Sequence, residues 1–423
     1  MCAAVAMTKY TKQEWSWMLY DAASSAFSLI ISTTVPLYFS LIANMQGNVE
    51  AAEVSATWGA MTSASLLLLA LLSPMLGTLA DYQGMKKRMF AFSLALAIAG
   101  LSLINFTLNI FAFICLFLLT RLCYSACNVF YDSMLTDVTE KSRMDMVSAN
   151  GFAIGYVASC IPFVASISIL LLRPFGIEPL LGFRISFFIT AAWWAALSLP
   201  LLKNLKHRYY VQIDREAGAV RQSFRRLAET VRKIRKNKTM RCFIIAYFCY
   251  IDGVYTIISM ATIYGSEVGI SSTNMIVALL VTQLVAFPCV ILAGKLAKKI
   301  TPIRLIKAFI ICYAGICVLG FLLRSAWQFW VLAISVGAVQ GGIQTLSRSY
   351  FAKLIPKEES NEYFGFYDIF GKFADFVGPL FITLSAAITG ESRYGILMLI
   401  LLFAAGYALL SKIKESGQET GEA

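Results

Sequence analysis

Twelve stretches of about twenty or more mostly apolar residues follow one another along the chain, over 15–42, 56–80, 88–107, 110–135, 146–172, 183–202, 241–264, 273–297, 303–323, 327–351, 362–389 and 392–412. Each is long enough to cross ~30 Å of hydrocarbon as a helix. Lipid offers no partner to a bare backbone, and segments this continuously apolar fit helices better than alternating barrel strands. The predicted fold class is an all-α polytopic membrane protein with twelve transmembrane helices in two pseudo-symmetric six-helix bundles. The longest polar interruption sets the division: a first bundle over 1–202, a basic linker over 203–240, a second bundle over 241–412 and a disordered tail over 413–423. Inside the linker Val220, Phe224, Leu227, Val231 and Ile234 recur at helical steps, surrounded by Arg221, Arg225, Arg226, Arg232, Lys233, Arg235 and Lys236. That pattern predicts an amphipathic helix, suited to anionic lipid at the inner leaflet or to a regulatory protein.

Composition agrees, with 58% hydrophobic and 14% charged residues against roughly a quarter charged in soluble domains. Of the 36 Lys and Arg, 29 fall in the termini and in loops after even-numbered spans, which predicts both termini in the cytoplasm. The net charge of +12 calls for no nucleic acid, because 203–241 alone holds 13 Lys and Arg against Asp214, Glu216 and Glu229. The ten cysteines form no Cys-x-x-Cys pair and read as small packing residues; the single histidine, His207, lies in the linker, away from the spans. No cofactor, metal site or catalytic set is expected: there is no phosphate-binding glycine loop, no His/Glu pair and no Ser/His/Asp arrangement. The first residues lack the charged start, apolar middle and cleavage site of a signal peptide, so the first span is expected to stay in place.

The halves echo each other. MLYDAASSAFSLIIS in span 1 and FCYIDGVYTIISM in span 7 put Asp21 and Asp252 at similar places. GTLADYQGMKKR after span 2 is matched by GKLAKKITPIR after span 8, although Lys298 stands where Asp81 does. MLTDVTEKSRMDMVSANGFAIGYV parallels AKLIPKEESNEYFGFYDIFGKF at the junctions of spans 4–5 and 10–11.

GTLADYQGMKKR fits Gly-x-Leu-Ala-Asp-x-x-Gly-x-Lys/Arg-Lys/Arg, and at this point the chain resembles the major facilitator superfamily. Gly77 lets helices approach and Gly84 permits a tight turn. Lys86, Lys87 and Arg88 are expected to anchor the cytoplasmic face, and Asp81 to bond neighbouring helix ends in a gate. A basic loop that only sets topology is the plainer alternative. Within the superfamily, WSWMLYDAASSAF, FYDSMLTDV with SANGFAIGYV, and GGIQTLSRSYFAKLIP with YFGFYDIFGKFADFVGP resemble the unknown-major-facilitator family, whose fungal relatives are autophagy-related vacuolar amino-acid effluxers. Members commonly carry Trp and Asn after the first-span Asp, where Ala22 and Ser24 stand here. The resemblance implies the major facilitator fold and an amino acid or similar metabolite as solute. Glycoside/cation symporters also have a first-span acid, but their paired second-span carboxylates are replaced here by Leu69 and Ser73 ahead of Pro74, so a sodium site of that design is absent.

Ionisable groups at membrane depth cost about 2.5–3.5 kcal/mol each by insertion scales, and they concentrate the candidate sites. Asp21 and Asp252 sit about 9 and 16 Å along their spans. Arg121, Asn128 and Asp132 share one face of span 4. With Tyr20, Tyr131, Asn150 and Tyr255 they form the candidate set for substrate or proton. A carboxylate there can exchange a proton as access alternates, or bind an ammonium; an anionic solute would look to Arg121. Arg348, with Asp368, Lys372 and Asp375 at i, i+4 and i+7 of span 11, reads as a gating group whose lysine can pair with both acids. Glu14 suits a helix start, and Trp15 and Trp17 read as interfacial anchors.

The sequence thus predicts a secondary transporter and not an enzyme: a monomeric multi-pass protein of a bacterial inner (plasma) membrane, moving a small polar solute by alternating access, coupled to protons. Outside the transporter class the alternatives are a non-transporting receptor or scaffold using the basic linker and a membrane-embedded enzyme or lipid-handling protein, for which Asp132 with Arg348 is the nearest, poor, candidate set.

Overall fold

The computed structural model describes residues 10–46, 51–212 and 219–413. Thirteen long helices account for most of them: α1 (Lys12–Gln46), α2 (Ala51–Ala80), α3 (Met85–Ile104), α4 (Ile110–Ser133), α5 (Met144–Leu172), α6 (Pro179–Asn204), α7 (Ala219–Lys236), α8 (Lys238–Glu267), α9 (Ser272–Leu296), α10 (Pro302–Phe321), α11 (Ala326–Leu354), α12 (Ser360–Thr389) and α13 (Arg393–Ser411). All but α7 contain a stretch long and apolar enough to cross a membrane, twelve among the described residues. They coincide with the twelve stretches read from the sequence, and α7 with the amphipathic stripe. The tail beyond Ile413 lies outside the described residues.

Helix starts are written locally. Thr11 and Glu14 form a capping box on α1: the Thr11 N–H donates to Glu14 Oε2 at 2.8 Å and the Glu14 N–H to Thr11 Oγ1 at 3.2 Å. Asn109 and Asn237 accept from Ala112 and Met240 and start α4 and α8 in the same manner. Gly84 takes φ 72° ahead of α3, the left-handed conformation its turn requires.

The chain packs as two units, one of residues up to Leu227 with Ile355–Ile369, the other of Ala228–Leu354 with residues from Phe370 onward. In the first, α1 packs on α5 and α6, α3 on α4 and α6, and α2 on α4. In the second, α8 packs on α13, α10 on α11 and α13, and α9 on α11. Four of these pairings recur in matching order, so the internal echo of the sequence is an echo of packing.

Burial separates the faces that meet protein from those that meet lipid. Trp194 and Phe27 stack at 4.7 Å within the first unit, both buried. Phe106, Phe111 and Ile388 are more than three-quarters exposed, a pattern that suits hydrocarbon and not water. Trp17 departs from its reading as an interfacial anchor. It is fully buried, donates from Nε1 to the Tyr131 carbonyl at 2.8 Å and stacks on the Tyr131 ring at 4.5 Å, because α4 lies against that face of α1.

Candidate functional site

Asp21 is buried where α1 meets α5, and two glycines make room for it. A Cβ on Gly151 would stand 2.9 Å from Asp21 Oδ2 and 3.4 Å from the Tyr131 hydroxyl, and one on Gly155 would stand 2.9 Å from Ser25 Oγ. A carboxylate and a hydroxyl four residues apart on α1 therefore face two glycines four residues apart on α5.

The second unit repeats the device. Asp252 is fully buried on α8, and its Oδ1 accepts from the Gly378 N–H of α12 at 2.9 Å and from Thr256 Oγ1 at 3.4 Å. A Cβ on Gly378 would run into Thr256 Oγ1 and stand 3.0 Å from Asp252 Oδ1. Asp21 with Ser25 and Asp252 with Thr256 keep the same i, i+4 spacing, and each pair meets glycine of the fifth helix of its half.

The other predicted members are distributed over both units. Tyr20 packs edge-on against Phe90 at 5.0 Å and lies 4.8 Å from the Tyr131 ring. Asn150 turns elsewhere, donating from Nδ2 to the Tyr10 hydroxyl and the Met146 carbonyl, both at 2.7 Å. Arg121, Asn128 and Asp132 are half-buried on α4, with the Arg121 guanidinium 5.7 Å from the Phe117 ring, and Tyr255 is half-buried on α8. Arg348 is buried on α11 and Lys372 is half-buried on α12; the Asp375 side chain lies outside the described residues. Asp368 accepts from Ser73 Oγ at 2.8 Å and Ser125 Oγ at 3.3 Å, which joins α2, α4 and α12 within the first unit.

The GTLADYQGMKKR turn builds a denser cluster. Asp81 is fully buried; its Oδ1 accepts from the backbone N–H and Nδ2 of Asn361, both at 2.8 Å, and its Oδ2 from the Glu362 N–H at 3.0 Å. These are first-turn amides of α12 that have no carbonyl partner inside the helix, so the carboxylate caps it. Gly77 allows the approach, since a Cβ there would strike the Asn361 carbonyl. Lys86 points inward: fully buried, it pairs with Asp137 Oδ2 at 2.6 Å and donates to Ser360 Oγ at 3.1 Å. Lys87 is half-buried, and only Arg88 of the three cations is exposed.

The linker closes over this cluster. The Arg208 and Tyr209 N–H groups donate to Asp137 Oδ1 at 2.9 and 3.2 Å, and Val211 N–H donates to the Asp81 carbonyl at 2.9 Å. From α7, Arg226 reaches Glu362 Oε2 at 2.9 Å and Asp81 Oδ2 at 3.6 Å, with its guanidinium 5.4 Å from the Tyr82 ring. Burial pushes the Asp81 carboxyl up to about 7, although Lys86, Asn361 and Arg226 all favour its ionised form. Burial and the Lys86 charge lower His207 to about 4, with Asp137 opposing.

Asp137, Arg226, Asn361 and Glu362 did not stand out in the sequence. Asp137 sits in the signature stretch FYDSMLTDV, but its partner Lys86 is 51 positions away; Arg226 is one cation among seven on its helix, and no sequence signal separates it.

The family model described as "Vacuole effluxer Atg22 like" matches residues 9–420. An uncharacterized MFS-type transporter, YxiO of Bacillus subtilis, is 43% identical over 97% of this chain and 96% of its own length. Autophagy-related protein 22 of Yarrowia lipolytica is 26% identical over 65% of this chain; the match spans about half (51%) of that protein. Among solved structures, the human organic anion transporter MFSD10 superposes with a TM-score of 0.71 at 15% identity, covering 94% of this chain and 99% of that one. The major facilitator transporter FucP of E. coli superposes with 0.70 at 14% identity, covering 94% and 97%.

Proposed function

Because the chain belongs to the Atg22-like family of major facilitator transporters, we propose that it carries a small polar solute, an amino acid or a similar metabolite, by alternating access coupled to protons. Family membership supports secondary transport; the amino-acid class comes from the resemblance to vacuolar effluxers. The observation that carries the reading is the repeated acid. A carboxylate at membrane depth costs about 2.5–3.5 kcal/mol, and the chain places one on the first helix of each half with a hydroxyl four residues on and glycine opposite. A group retained twice at that cost, on helices whose relative tilt changes in alternating access, suits a proton or a substrate amine. In this reading both termini are cytoplasmic, the protein is a monomer of a bacterial inner (plasma) membrane, and anionic lipid of the inner leaflet meets the cations of α7.

The test is flux into proteoliposomes with and without an imposed pH gradient, across a panel of amino acids. Uptake of at least one amino acid driven by the gradient is expected. Uptake indifferent to the gradient and to Asp21→Asn would overturn proton coupling, and no flux of any polar solute would overturn transport itself.

A further inference from the structure

Helix α7 buries a polar edge more fully than the described part of its apolar stripe. Ser223 and Thr230 are buried, and the Arg226 side chain is only 12% exposed. At about 100° per residue these three centre about 90° away from the stripe of Val220, Phe224, Leu227, Val231 and Ile234. Of that stripe Val231 is 41% exposed and Leu227 and Ile234 are half-buried; the Val220 and Phe224 side chains lie outside the described residues. A helix docked for its hydrophobic gain alone would turn the stripe inward. Here a polar edge is the more buried one, and Leu227, Val231 and Ile234 stand beside the exposed Arg225, Arg232, Lys233, Arg235 and Lys236. An apolar stripe flanked by cations fits the boundary between acyl chains and anionic headgroups, and the charge complementarity commits the face to lipid.

The inward edge ends at two buried carboxylates. Asp81 and Glu362 are both fully buried, and the Arg226 guanidinium lies between them. Two carboxylates sharing a dry site repel unless a cation stands there; Lys86 and Arg226 both favour the ionised Asp81 and Arg226 also pairs with Glu362, so part of what holds Asp81 at the start of α12 depends on where α7 sits. We infer that α7 is a lipid-operated clamp: seating of its apolar stripe and cations on an anionic lipid surface fixes Arg226 between Asp81 and Glu362 and so steadies the capped start of α12. This rests on the proposed lipid partner and adds to it a residue that transmits the contact.

Hydrogen exchange of the full chain in lipid nanodiscs, phosphatidylcholine alone against phosphatidylcholine with phosphatidylglycerol, separates the two. The anionic lipid should slow exchange over 219–236 by about tenfold, as the loss of a few surface cations' attraction would undo, and should also slow 78–88. High salt should erase both effects by screening. Replacing Arg232, Lys233, Arg235 and Lys236 by Gln should do the same. Arg226→Gln should keep the slowing over 219–236 and lose it over 78–88; Arg226→Lys should restore part of it. Slowing over 219–236 without a response at 78–88 in the unaltered chain, or a response at 78–88 that survives Arg226→Gln, overturns the clamp and leaves the lipid partner standing. Identical exchange over 219–236 in both discs overturns both and leaves the face to a protein partner.

Discussion

Lys86 and Asp137 form an ion pair of 2.6 Å in which neither side chain is exposed, between the first turn of α3 and the one-turn segment after α4. The pair is more than Coulombic, since Asp137 also accepts two linker amides and Lys86 also donates to Ser360. Removing the cation strands a buried carboxylate, and such losses cost about 3–5 kcal/mol. Lys86→Met is therefore expected to lower the melting temperature in detergent sharply. Adding Asp137→Asn should recover most of the loss, because the amide oxygen still accepts from Arg208 and Tyr209 while the stranded charge is gone. A double variant as unstable as the single one would show that the ion pair itself is not what holds this turn.

Gly378 is where α12 comes closest to the acid of α8. An added methyl meets Thr256 and Asp252 and has no flexible chain end to push aside, and overpacking of that kind costs about 1–3 kcal/mol. Gly378→Ala should lower the melting temperature and solute flux together. Gly59→Ala is the control, because nothing lies within 4 Å of its Cβ position; it should leave both unchanged or raise stability slightly.

Asp81 and His207 titrate in the same range with opposite effects. The folded Asp81 carboxyl, at about 7 against an ordinary 3.8, takes up its proton before the unfolded chain does, so this residue makes the fold more stable as pH falls from about 7 toward 3.8. The folded imidazole, at about 4 against 6.5, takes up its proton after the unfolded chain, so His207 makes the fold less stable as pH falls from 6.5 toward 4. The unaltered chain should show a shallow pH dependence of melting across this range. His207→Gln should tilt the curve toward greater stability in acid and Asp81→Asn the other way. Parallel curves for all three proteins would contradict the opposed shifts.

What the sequence made legible follows from where the physics is local. Span positions depend only on continuous apolarity against a fixed hydrocarbon thickness, and all twelve were readable; so was α7, whose stripe is a property of one segment. The correspondence of Asp21 and Asp252 was readable because internal repetition is also written in the chain. The hydroxyls four residues on, Ser25 and Thr256, were hidden, being ordinary residues until glycines of another helix face them. Lys86 read as a surface anchor because it stands in a basic run; only the fold brings Asp137 from 51 positions away to draw it inside. Trp17 read as an anchor for the same kind of reason, since position near a helix start says nothing of the α4 face that covers it.

The two repeated acids differ in what they touch, and that difference predicts different roles. Asp252 accepts a backbone N–H from Gly378, a group that can donate and never accept, which fixes Oδ1 as an acceptor. Asn at this position keeps an accepting oxygen. Asp252→Asn should therefore preserve the fold and keep the response of flux to a pH gradient, with a rate within about tenfold of the unaltered chain, a span of about 1.36 kcal/mol in barrier. Asp21 Oδ2 instead lies 2.9 Å from the Gly151 Cβ position, with the Tyr131 hydroxyl 3.4 Å from the same point. Asp21→Asn should abolish gradient-driven accumulation while leaving solute exchange across the liposome membrane, and Tyr131→Phe should weaken accumulation less than Asp21→Asn does. If Asp252→Asn, and not Asp21→Asn, uncouples flux from the gradient, the proton site belongs to the second half and Asp21 is a packing group of the α1–α5 contact.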